Sequence, residues 1–205
     1  MGHPLDRWTI GRNKISDMSK TMATIDLTQL SIADIVTSGK GKSAQFSYAG
    51  RPVYWQPCAL PVAFEPGTYN GEPAPRVTMQ FKAFSVQYTL NDLDKFIVRY
   101  ASLMAVKIWG KDMTMEEVQN MYHPCLKPSD KYEPTFKVKV NLQGPYRVNI
   151  WGVDKKLREA PASWKGLLVT SKLRLKCLWI KEASFGAIWE ATDLMIEDQA
   201  LECPF

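Results

Sequence analysis

The chain has 205 residues, a formal net charge of +5, 45% hydrophobic residues and 23% charged residues. This is the composition of a globular protein, long enough to bury a core without a disulfide or metal staple. No apolar run approaches the roughly 18 residues of a membrane span and no signal peptide opens the chain, which argues against a membrane protein.

Residues 1–23 are polar, with scattered Gly and Met, and read as a flexible N-terminal segment. Ile25, Leu27, Leu30, Ile32 and Ile35 form the first apolar pattern, at a spacing that fits a strand or a short helix. Thr37–Ser43 (TSGKGKS) reads as a flexible loop and lacks the phosphate-loop spacing. Gln45–Tyr48 and Pro52–Gln56 flank Ala49-Gly50, the pattern of a tight hairpin. Pro57–Pro75 holds five Pro with Gly67 and Gly71, and reads as a long loop of the kind that is often functional. Val77–Tyr88 reads as an extended strand or a bent pair.

Asn91 is placed to cap a helix whose apolar face is Leu93, Phe96, Ile97, Tyr100, Met104 and Ile108, with Gly110 as its stop. Thr114-Met-Glu-Glu117 is a capping box opening a second, short helix that ends before Pro124. Three strands then follow, Thr135–Leu142, Arg147–Trp151 and Ser171–Lys181, before a closing strand from Phe185 or Gly186 to Ile196.

The three strands carry most of the excess positive charge. Phe136, Val138, Val140 and Leu142 alternate with Lys137, Lys139 and Asn141, so a period of two separates an apolar face from a cationic one. Leu173, Leu175, Cys177 and Trp179 alternate in the same way with Lys172, Arg174 and Lys176. This pattern predicts that Trp179 packs inward, together with Trp189. Val148 and Ile150 oppose Arg147, Asn149 and Trp151, and Trp109 fits either environment. Lys131–Lys181 contains twelve Lys/Arg against three acids, whereas beyond Lys181 there are six acids and no base.

Catalytic and metal-binding patterns are missing. There is no G-x-S-x-G, H-E-x-x-H or G-x-G-x-x-G. Cys58, Cys125, Cys177 and Cys203 are scattered, and only His123 and Cys125 lie close together, so neither a metal site nor a cofactor is expected. Free thiols suit a reducing, intracellular compartment. Cations with aromatic residues on one face are what unpaired nucleic acid requires: phosphates are neutralised and bases stack on flat rings. Trp151 is the leading stacking candidate. Tyr54 is the next, since it projects opposite Val53 and Trp55.

The order hairpin, Pro-rich loop, strand, helix, basic strands and Phe-Gly strand resembles the OB-fold single-stranded DNA-binding proteins of DNA viruses, those of nucleocytoplasmic large DNA viruses and of short-tailed phages. The segments carrying the resemblance are Phe46–Gln56, Pro134–Val140, Ser171–Ile180, Phe185-Gly186 and Leu194–Ile196. It implies a mainly β protein with inserted helices, built on a five-stranded Greek-key OB barrel over residues 24–198. It also implies binding by Lys137, Lys139, Lys172, Arg174 and Lys176, to which the strand faces add Arg147, Trp151 and Tyr54, in a non-enzymatic protein that coats single strands in viral replication and recombination. The acidic end, with Glu197, Asp198, Glu202 and the terminal Phe205, is similar to the partner-docking tips of bacterial and phage single-strand binders. In them such a tail occupies the groove or recruits replication proteins, and the last seven residues, 199–205, form it here. Two rival readings stand beside this one: an RNA-binding OB module, and a virion or scaffold protein whose basic face meets an acidic partner. The sequence is compatible with a homo-oligomer.

Overall fold

Alternation of apolar and polar side chains is the rule that builds this protein. In the computed structural model, which describes residues 24–39, 41–68 and 75–197, Phe136, Val138 and Val140 are fully buried while Lys137 is exposed and Lys139 half-buried. The element order is β1 (Leu30–Ile32), β2 (Val36–Ser38), β3 (Gly41–Tyr48), β4 (Arg51–Trp55), β5 (Leu60–Pro61), β6 (Arg76–Lys82), α1 (Gln87–Leu103), α2 (Ala105–Trp109), α3 (Met115–Met121), β7 (Tyr122–His123), β8 (Leu126–Lys127), β9 (Thr135–Asn141), β10 (Asn149–Trp151), β11 (Leu168–Ile180) and β12 (Phe185–Ile196).

The strands curl into a ring. β6 pairs antiparallel with β9, β9 lies parallel to β12, and β12 runs antiparallel to β11 along its whole length. β11 pairs antiparallel with β4 and β5. The bridges Val62↔Phe81 and Gly67↔Thr78 return the sheet to β6. Counting residues 51–62 as one bent strand, the ring reads first, second, third, fifth, fourth, with a single parallel contact. This is the Greek-key order of an OB barrel. α1, α2 and α3 are inserted between its second and third strands. β10 continues the line of β9 along β12, again in parallel. β3 extends the sheet beyond β4 and pairs with the far half of β11.

The barrel is filled by side chains from alternate positions. Trp55 and Trp189 meet at 5.5 Å between ring centroids, and Phe136 approaches them at 6.2 and 5.6 Å. Burying an aromatic or branched aliphatic side chain of this size contributes about 1.5–3 kcal/mol. The buried stripe of α1, with Leu90, Leu93, Ile97 and Ala101, packs onto the same core. Ala49 and Gly50 both take positive φ, 47° and 76°, which gives the β3–β4 hairpin the twist its strands need.

Several expectations change. Thr37 and Ser38 are drawn into β2 and Gly41–Ser43 into β3 rather than into a loop, because Val36↔Ser43 and Ser38↔Gly41 pair antiparallel. The Pro-rich segment contributes β5 and the two ring-closing bridges. Val77–Tyr88 is a strand only as far as Lys82, since a short 3-10 turn at Phe84–Val86 winds directly into α1. Asn91 is therefore an exposed interior residue of that helix and caps nothing. The apolar stripe through Ile108 breaks at Met104 into α1 and α2, and Gly110 ends the second at φ 77°. The capping box forms as read: the Glu117 N–H donates to Thr114 Oγ1 at 3.2 Å, and the Thr114 N–H donates to Glu117 Oε2 at 2.7 Å.

The inward assignment of Trp179 is overturned, whereas Cys177 is buried as expected. A β-bulge between Leu175 and Cys177 adds a residue to β11 opposite β12. One extra residue inverts the side-chain parity beyond it. Leu178 and Ile180 therefore point into the barrel, and Trp179 turns outward. Trp189 is in the core as expected, and Trp109 packs edge-on against Phe185 at 5.4 Å.

Candidate nucleic-acid interface

The outer face of the ring is an ordered array, because cross-strand register aligns its outward residues in rows. One row crosses the whole sheet. Tyr54 on β4 is opposite Arg174 on β11, and Arg174 is opposite Glu190 on β12. Glu190 is opposite Lys139 on β9, and Lys139 is opposite Thr78 on β6. The next row holds Lys172, Asp193 and Asn149, and the one beyond it Thr170, Met195 and Trp151. The register thus gathers Tyr54, Lys139, Trp151, Lys172 and Arg174 on one surface, with Lys137 opposite Gln80 along β9. Lys176 sits at the bulge of β11 on the same side, close enough to Glu190 for an ion pair.

The cations are not equivalent. Glu190, only 14% exposed, accepts from Arg76 at 2.6 Å and from Lys176 at 2.9 Å. Two positive groups are thereby tied to one acid in the middle of the face. Lys139 donates to Thr78 Oγ1 at 2.7 Å. Burial, then the positive charges of Arg76 and Lys137, push its ammonium below the usual lysine range. Both causes disfavour the charged ammonium, whereas a neighbouring anion would favour it. The Lys172 ammonium lies 5.2 Å from the centre of the Tyr54 ring, a cation–π contact that leaves the charge at the surface.

Trp151 is held by its edge. Its indole N–H donates to Asp193 Oδ1 at 3.1 Å, and Asn149 donates to the same oxygen at 2.9 Å. An indole anchored through its N–H keeps its orientation without covering its faces. Arg147 precedes β10 instead of lying within it, and its guanidinium pairs with Glu159 at 2.8 Å. Glu197 does not belong to a free tail. It closes the end of the sheet, its carboxylate accepting from Thr170 Oγ1 at 2.6 Å and its N–H donating to the Leu168 carbonyl at 2.9 Å. Asp198, Glu202 and Phe205 lie outside the described residues, as do residues 1–23.

A carboxylate also fixes the long loop leaving β5. Glu65 accepts from the Ser163 hydroxyl at 2.5 Å and from the Trp164 and Lys165 N–H groups at 3.0 Å each, and these bonds hold its pKa below the ordinary glutamate range. Among the described residues, no cluster of His, Cys, Asp and Glu could hold a metal ion.

Sequence reasoning missed four residues of this surface: Arg76, Glu190, Trp179 and His123. Arg76 was within reach, since Arg76, Thr78 and Gln80 alternate with Val77, Met79 and Phe81. Nothing in sequence parity could find Trp179, because the bulge that turns it outward exists only through pairing with β12.

The sequence matches no protein-family model and no curated protein. Among solved structures, the chain is similar to the single-stranded DNA-binding protein from bacteriophage Enc34 in complex with ssDNA, at 8% identity, covering 80% of this chain and 94% of that one, with a TM-score of 0.42. It is also similar to gp2.5, a single-stranded DNA-binding protein encoded by bacteriophage T7, at 13% identity, covering 85% of this chain and 94% of that one, with a TM-score of 0.42.

Proposed function

We propose that this protein is a non-catalytic, sequence-independent single-stranded DNA-binding protein that coats and protects unpaired strands during viral replication and recombination. One observation carries the reading: a single outer sheet face on which Lys137, Lys139, Lys172 and Arg174 stand beside the partly exposed rings of Tyr54 and Trp151. Cations neutralise phosphates whatever the sequence, and every base has a face that stacks. Few of these side chains are arranged to read base edges, so little sequence preference is expected.

Binding proceeds by exchange of partners. Condensed counterions leave the DNA as Lys137, Lys139, Lys172 and Arg174 take up phosphates, and unpaired bases settle on the rings. A duplex keeps its bases stacked on one another and offers only its phosphates.

The test is a titration of fluorescent single-stranded and duplex oligonucleotides across salt. Four phosphate contacts to a single strand give a slope of log K against log salt of about −3. Preference for single strands with such a slope supports the reading. Equal affinity for duplex, or weak binding at moderate salt, overturns it. Competition between matched DNA and RNA strands then identifies the sugar.

A further inference from the structure

Beyond the cationic rows, the bulge in β11 creates another ordered line of outward residues. Val36 on β2 is opposite Ser43 on β3, and Ser43 is opposite Trp179 on β11. Trp179 is opposite Gly186 on β12, and Gly186 is opposite His123 on β7. The two residues flanking the indole across the sheet are thus Ser and Gly, both small. Gly186 gives the indole room there: a Cβ on it would sit tightly, 3.1 Å from the indole Nε1 and Cζ2 and 3.0 Å from the His123 carbonyl oxygen. The His123 ring lies 5.4 Å from the indole, tilted by 47°, and the Lys181 ammonium stands 5.9 Å from its centre. A tryptophan seated on a glycine, beside an exposed imidazole and a lysine, combines an aromatic surface with positive charge.

From this geometry we infer that Trp179 and His123 form a second base-stacking station, separate from the Trp151 end of the face. The inference rests on the single-strand-binding reading above. β11 carries the cations from Lys172 to Lys176 between the two ends. Thr170, in the row of Trp151, and Trp179 are nine residues apart, about 30 Å at ~3.3 Å per residue. Adjacent bases cannot reach both rings. A strand long enough to cross the cations reaches both, and a short one reaches one.

The experiment is a length series of oligo-dT titrated against wild-type protein and the Trp179→Leu and Trp179→Phe variants, with melting temperatures measured in parallel. Leu fills the space without a π-face, and Phe restores one. One stacked base contributes about 1–3 kcal/mol, equivalent to roughly 5- to 150-fold in affinity. The station predicts that wild-type affinity rises in a second step with length, that W179L loses that step, and that W179F recovers most of it. Equal affinity of W179L and wild type at every length overturns the inference while leaving the binding function intact. A wild-type protein that binds no oligonucleotide removes both. Photocrosslinking of a bromodeoxyuridine strand to unmodified protein gives a readout without substitution: an adduct on the Trp179 peptide supports the station, and adducts confined to other peptides overturn it.

Discussion

Glu190 on β12 accepts a hydrogen bond from Arg76 on β6 at 2.6 Å, reaching across the intervening strand β9. The same Oε1 accepts from Lys176 on β11 at 2.9 Å. One carboxylate thus joins three strands of the ring across its outer face and holds two cations that would otherwise be open to phosphate.

Replacing this acid should strengthen binding and weaken the fold. Glu190→Gln keeps the shape and an acceptor but removes the charge that competes with DNA for Arg76 and Lys176. Single-strand affinity should rise, and the slope of log K against log salt should steepen by about 0.7 for each cation released. Stability should fall by about 1–2 kcal/mol, because charge-assisted bonds become neutral ones. Oligonucleotide titration and urea denaturation measure the two effects. Weaker binding by E190Q would mean that the carboxylate chiefly orients the cations rather than masking them.

Charge reversal at the neighbouring strand tests the other side of the balance. Lys137→Glu with Lys139→Glu should flatten the salt dependence by at least 1.4, at about 0.7 per lost phosphate contact. Lys139 should account for more of the loss, since it faces Glu190 in the central row and is crowded by Arg76 and Lys137. A slope that does not move would remove β9 from the interface.

Trp151→Ala should lower affinity for a homopyrimidine strand about 5- to 150-fold, the equivalent of one stacked base, and alter duplex binding far less. Asp193→Ala should produce part of the same loss with the ring still present, because Asp193 holds both Trp151 and Asn149. Equal losses for single strand and duplex would show that Trp151 supports the sheet and does not stack.

What could be read from the sequence followed from local rules. Alternation in β9 set Lys137 and Lys139 against Phe136 and Val138, and the tight hairpin and the capping box each appear where short-range signals put them. What could not be read depends on partners distant in the chain. Trp179 follows the wrong parity because the bulge is a property of two strands together. Glu190 reads as one of several acids in a negative C-terminal stretch, until register puts it opposite Lys139. Asn91 has every attribute of a cap, yet the turn at Phe84–Val86 starts the helix before it. Glu197 looks like tail sequence until pairing at Thr170 and Leu168 joins it to the sheet.

Asp94 provides a test of the fold through pH. It sits buried on α1 and accepts from the Tyr122 hydroxyl at 2.6 Å and from the Cys125 N–H at 3.1 and 3.2 Å, joining the helix to β7 and the turn between β7 and β8. Burial raises its affinity for a proton above that of an ordinary aspartate, and the hydrogen bonds it receives offset this only in part. The folded state therefore holds that proton to higher pH than the unfolded chain does. The Asp94 contribution is largest below the unfolded value near 3.8 and declines as pH rises through the raised folded one. Asp94→Asn keeps an acceptor for Tyr122 and Cys125 without titrating, so wild type should gain stability relative to D94N as the pH is lowered from 7 to 4. Asp94→Ala strands two buried donors and should cost about 2–4 kcal/mol at either pH. Glu65 shifts the opposite way, since its bonds to Ser163, Trp164 and Lys165 favour the charged form. A melting curve of wild type alone mixes the two contributions, which is why the difference from D94N is the quantity to measure. A difference that stays constant with pH, or shrinks on acidification, would show that the bonds from Tyr122 and Cys125 outweigh the cost of burying the charge.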